Sequence, residues 1–109
     1  MATSCIEHKG ETPYFDGTNY ALWKLGMTTY FRAMSPKIWW IVDVGFSHAL
    51  DDNPTNEQEK CLHLDVQATN VLFSALSVDV FYKVCNLKSA HDMWIELQRL
   101  YEESTTTSD

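Results

Sequence analysis

Three stretches of this chain repeat apolar residues at steps of three and four, and no hairpin signal lies between them. Tyr20, Trp23, Met27, Tyr30 and Met34 form the first stripe, with Lys24, Thr28 and Arg32 elsewhere on the wheel. Cys61, Leu64, Ala68, Leu72 and Ala75 form the second, flanked by Leu62, Val71 and Leu76. Ala90, Met93, Trp94, Leu97, Leu100 and Tyr101 form the third. Such spacing places each set on one side of a 3.6-residue helix, a face that is stable only when another element covers it. The expected fold is therefore all-α, a compact bundle of four to five helices spanning residues 13–103. A flexible arm (1–12) is expected before it and a polar tail (104–109) after it.

Local chemistry supplies the boundaries. Asp16-Gly17 is a turn signal, after which Thr18 or Asn19 can cap the first helix. Ser35-Pro36 combines a cap with proline at the first helical position, and Gly45 can close that segment in a left-handed turn. Between them, residues 37–44 (KIWWIVDV) are rich enough in β-branched and aromatic side chains to suit a buried strand. The start and stop signals are helical and no second strand is available, so a short helix is expected. Thr55 and Gln58 have the spacing of a capping box and open a helix of about twenty residues. Ser77 and Ser89 each precede a further short helical stretch.

Hydrophobic residues make up 45% of the 109-residue chain and charged residues 21%, which suits one globular domain. The net charge of −7, with Lys and Arg scattered, supplies no positive stripe for nucleic acid and none for an anionic membrane. The longest apolar run, IWWIV, is far below the ~20 residues of a membrane span. Cys5, Cys61 and Cys85 are too few and too widely spaced for a disulfide framework, and the first residues lack the apolar stretch of a secretory signal. An intracellular, cytoplasmic setting is expected.

The usual chemical signatures are missing. Asp16-Gly17-Thr18 reverses the order of the aspartic-protease motif and serves better as a turn. His8, His48, His63 and His91 are dispersed. Cys61-x-His63 is the most closely spaced Cys/His pair, and its members fall on opposite sides of a helix, whereas a structural zinc site needs four converging ligands. Cys85 suits a small apolar core position, and Asp51-Asp52 suits a solvated loop tip. No glycine-rich phosphate loop, nucleophile elbow or paired-carboxylate pattern occurs. No enzymatic activity, cofactor, metal or small-molecule substrate is expected.

Nine of the 14 aromatic residues lie between Tyr14 and Phe46, mostly at core spacing. Trp39 and Trp40 are adjacent, so on a helix they point about 100° apart and one is left towards the surface. Trp39, Trp40 and Phe46 are accordingly the candidate interface. The expected partner is a second copy of this chain or another protein.

Two motifs carry a family likeness. The first is Phe15, Gly17, Asn19, Tyr20, Trp23 and Met27, in the pattern Phe-x-Gly-x-Asn-Tyr-x-x-Trp followed by methionine. The second is Ala90, Trp94, Leu97 and Tyr101, in the pattern Trp-x-x-Leu followed by an aromatic residue. In this order the chain resembles the N-terminal part of Gag from copia-type LTR retrotransposons, a family abundant in plants. The resemblance implies a capsid-like helical domain that self-associates into particles enclosing the element's RNA, without catalysis. It also implies further helices and a Cys-Cys-His-Cys zinc knuckle, which this sequence lacks. The chain then corresponds either to an N-terminal Gag domain or to a Gag-derived host module that binds another protein or interferes with Gag assembly.

Overall fold

The structure is a computed structural model that describes residues 12–45 and 55–102. The expected arm before Thr12, the segment holding Phe46 and Asp51-Asp52, and the tail from residue 104 lie outside the described residues. Among the described residues five helices follow one another: α1 (Tyr20–Met34), α2 (Pro36–Asp43), α3 (Asn56–Ser74), α4 (Val78–Val84) and α5 (Ala90–Leu97). α5 runs on into a π-helical turn, Gln98–Glu102. No strand occurs among the described residues; the fold is all-α, and residues 37–44 are helical as far as Asp43.

The caps are local bonds between residues two or three apart. Ser35 Oγ accepts from the backbone N–H groups of Lys37 and Ile38, with Pro36 at the first position of α2. Thr55 and Gln58 cap each other at the start of α3. Ser77 accepts from Val80 N–H, and Ser89 from Asp92 N–H. At the far end of α2, Gly45 takes φ +85°, the left-handed region that favours glycine. A Cβ there would stand 2.9 Å from Cδ2 of His91, so the close approach of α5 excludes a side chain as well.

The start of α1 departs from expectation. Asn19 is the cap residue, but at φ 57° and ψ 47° its side chain makes no capping bond. Asp16 closes the turn instead: its Oδ1 accepts from Thr18 N–H at 3.0 Å and from Thr18 Oγ1 at 2.7 Å. An aspartate bonded two residues ahead mimics a backbone turn, and asparagine tolerates the left-handed conformation better than most residues. The inward stripe of α1 also differs at its end. Tyr20, Trp23, Met27 and Phe31 are buried, Tyr30 is partly buried and Met34 is exposed. Steps of three, four and four follow 3.6 residues per turn more closely than a row ending at 30 and 34.

The core gathers the inward faces of all five helices around aromatic rings. Trp94 of α5 is its hub, with ring-centroid distances of 5.7 Å to Trp23, 6.0 Å to Phe31 and 5.7 Å to Trp39. Phe15, just before α1, is fully buried and fastens the chain entry to the α3–α4 corner. Its N–H donates to the Ala75 carbonyl and its carbonyl accepts from Ser77 N–H. This is an isolated parallel bridge to Leu76 rather than a sheet.

Candidate functional site

The two halves of the family-like motif meet inside the domain. Phe15 stacks on Trp23 at 4.9 Å and meets Tyr101 edge-on at 4.9 Å, while Tyr20 packs between Phe15, Trp23 and Tyr101. Met27, Trp94 and Leu97 are buried and Tyr101 is partly buried. Gly17 and Asn19 serve the entry turn, both with positive φ. Trp23 satisfies its indole N–H on the Pro13 carbonyl at 3.2 Å, and Thr12 donates to the Tyr30 hydroxyl. These residues build a core rather than an open cleft.

One group in that core is chemically unusual. The Tyr20 hydroxyl is buried and has no hydrogen-bond partner among the described residues. Desolvation holds its proton on and pushes its pKa well up, helped by the negative charge of Glu102. Lys24 lies 6.0 Å from the Tyr20 ring and 3.3 Å from Glu102, so the carboxylate stays paired near the rim.

The second buried polar feature is Asp65, an acid on the inward face of α3 that only 3% of its surface exposes. Its Oδ1 accepts from Ala90 N–H at 2.9 Å, the first turn of α5. A carboxylate is favoured at that end of a helix because free N–H groups and the helix dipole converge there. With Ser89 accepting from Asp92 N–H in the same turn, Asp65 pins α5 to α3. His91 ties the same helix to α2: its Nδ1 stands 2.9 Å from the Val42 carbonyl oxygen. That oxygen can only accept, so Nδ1 carries the proton. Asp65 has a signal in the sequence: it falls among Cys61, Ala68 and Leu72 at steps of four, three and four, on the buried register.

Of the candidate interface residues, Trp39 turns inward and is partly buried, with its ring edge-on to Trp94. Trp40 turns outward and is 44% exposed. Lys37 lies 5.8 Å from its ring centroid and pairs with Glu57 at 2.7 Å. The hydrogen bond and charge of Glu57 hold the Lys37 pKa up, and Lys37 holds the Glu57 carboxyl down. Phe46 lies outside the described residues. The sequence reading overlooked Leu22 and Leu25 on the outer face of α1, 71% and 67% exposed.

Among the described residues, no group of three or more His, Cys, Asp or Glu side chains could hold a metal ion. Cys61 is buried and His63 exposed on the same helix, and Cys85, expected as a core residue, is only partly buried. A shallow depression lined by Asn56, Glu59, Lys60, His63 and Leu64 runs along α3 alone and brings together no nucleophile–base pair. No helix among the described residues is long and apolar enough to cross a membrane. In comparison with known proteins, no family model matches the chain, and no curated protein or solved structure matches it either.

Proposed function

We propose that this chain is a capsid-type module of copia-like Gag descent, and that its work is protein–protein association, first of all with copies of itself. It acts as a non-catalytic, cytoplasmic assembly domain that needs no cofactor. The two separated motifs, in Gag order and packed against each other around Trp23 and Trp94, support the family reading. The observation that carries the functional reading is Trp40, an indole left 44% exposed on a helix whose other tryptophan is anchored in the core. Large aromatic side chains on a rigid element are the usual anchors of protein interfaces. Its neighbour Lys37 is already paired, so the indole is flanked by a neutralised charge rather than a repelling one.

A second reading is favoured by the net charge of −7, which sets two copies against each other. On that reading the module is a host adaptor that binds a different protein. Sedimentation velocity across a concentration series separates the two. Trp40→Gln is expected to keep the melting temperature and reduce association. A wild-type chain that stays monomeric overturns self-assembly and directs the search to a pull-down. A Trp40→Gln variant that unfolds shows that the indole is structural.

A further inference from the structure

We infer that α1 is itself a self-association surface, on which a second copy packs its own α1 antiparallel about a two-fold axis. This rests on the self-assembly reading above and deepens it by naming a contact outside α2. The outer face of α1 bears Leu22, Leu25 and Thr29, opposite the buried Tyr20, Trp23, Met27 and Phe31. A solvent face of a small-domain helix ordinarily carries charge. Here two leucines one turn apart are 71% and 67% exposed. Thr29 returns its hydroxyl to the Leu25 carbonyl at 3.1 Å, so it presents no unmet polar group to a partner.

The charge pattern identifies a second copy as the occupant. Between Gly17 and Val42 the chain carries Lys24, Arg32 and Lys37 and no acidic residue; all 15 acids lie elsewhere. Two copies of so acidic a protein repel each other over most of their surfaces and least along α1, which has no acid of its own and whose Lys24 offsets Glu102. Lys24 and Lys37 are paired within the molecule, which leaves Arg32 without an ion pair among the described residues. An anionic membrane would want a cluster of free cations, and a single arginine is not one.

Helix geometry then supplies the complement. In an antiparallel pair centred on Leu25, positions whose numbers sum to about 50 lie opposite one another at a rise of ~1.5 Å per residue. Leu22 and Leu25 interleave with the same residues of the second copy. Arg32 then lies about two residues beyond the second copy's first helical residue, Tyr20, and so faces the entry turn, where the Thr18 N–H and hydroxyl hold the exposed Asp16 carboxylate. Those bonds keep Asp16 ionised by lowering its pKa. The two-fold makes the Arg32–Asp16 pair twice. The contact is small, so dimerisation in the high-micromolar range is expected.

The test is sedimentation velocity of the full chain up to roughly millimolar concentration, at low and high salt. Leu25→Glu is expected to abolish dimerisation. Arg32→Glu and Asp16→Asn, the latter retaining an acceptor for Thr18, should each weaken it roughly two- to thirtyfold, the range for two exposed ion pairs. Arg32→Glu with Asp16→Lys should recover most of the loss, and high salt should mimic the single charge variants. Melting temperatures check that every variant is folded, and Asp16→Asn carries the charge test if Asp16→Lys disturbs the turn. A chain that associates equally in all these variants, or loses association only through Trp40→Gln, overturns the α1 pairing and leaves self-assembly standing. A chain that is monomeric throughout overturns both.

Discussion

Replacing Trp94 with alanine removes the hub of the core, and the structure sets the size of the effect. Trp94 is 2% exposed and its ring meets Trp23 from α1, Phe31 from α1 and Trp39 from α2. Truncating a buried tryptophan costs about 3–5 kcal/mol in transfer and cavity terms. Each aromatic pair contributes roughly 0.5–1.5 kcal/mol beyond the area it buries, so three of them put Trp94→Ala at or above the upper end. A domain of this length holds on the order of 5–15 kcal/mol in total, and the variant is expected to lose a third of that or more. Urea denaturation followed by circular dichroism measures it, with an unchanged m-value showing that the transition remains two-state. Trp40→Ala is the internal control: it leaves an exposed position and should cost less than about 1 kcal/mol. A loss below about 2 kcal/mol for Trp94→Ala, or equal losses for the two variants, would refute the assignment of Trp94 as hub and Trp40 as surface residue.

Tyr20→Phe removes a buried hydroxyl without a partner and should gain about 1 kcal/mol at neutral pH. Because the folded state holds the Tyr20 proton more tightly than the unfolded chain, wild-type stability is full below about pH 10 and falls above it by up to ~1.4 kcal/mol per pH unit. Urea midpoints from pH 8 to 11 that run parallel in wild type and Tyr20→Phe would contradict this. Asp65→Ala strands the first N–H of α5 and should cost about 1–3 kcal/mol, with Asp65→Asn milder because an acceptor remains. Gly45→Ala forces both a positive φ and a contact with His91 and should lower stability by roughly 1–3 kcal/mol, read from the melting temperature. No salt-dependent affinity for single-stranded RNA is expected at physiological ionic strength, and a fluorescence-polarisation titration showing one would reverse the charge argument.

Local bonds were legible and distant ones were not. Ser35, Thr55, Ser77 and Ser89 cap helices through atoms two or three residues away, so the cap can be read without knowing what packs nearby. Gly45 is legible for the same reason. Phe31 replaced Met34 at the end of the inward stripe because steps of three, four and four follow the helical repeat more closely, and its ring then meets Trp94 of α5. Asn19 lost its capping role to Asp16 because two short polar residues competed for the same turn. Asp65 stood in plain view on the buried register, but its partner is 25 residues away, and only the fold brings Ala90 to it. Leu22 and Leu25 were overlooked because periodicity directs attention to the face that is buried.

That oversight separates fold from function in this chain. Most residues that carry the resemblance to Gag, Phe15, Tyr20, Trp23, Met27, Trp94 and Leu97, are buried, so what they specify is a core. A buried motif governs whether the helices find one another and touches no partner; function has to be argued from the surface it supports. On the described surface Val66 on α3, Val78 and Tyr82 on α4 and Ile95 on α5 are exposed as well, and two apolar features stand on successive helices joined through Ser35: Trp40 on α2 and the leucine face of α1. Both lie in the stretch free of acidic residues, while α3, α4 and α5 carry Glu57, Glu59, Asp79 and Asp92. The least acidic part of the chain thus carries one share of the apolar exposure, and the rest stands among acidic residues. Such an arrangement permits contact between like-charged copies through one part of the surface and resists it through the rest. Adding salt should therefore loosen a contact held by Arg32 and Asp16, and strengthen any contact made where acidic faces meet.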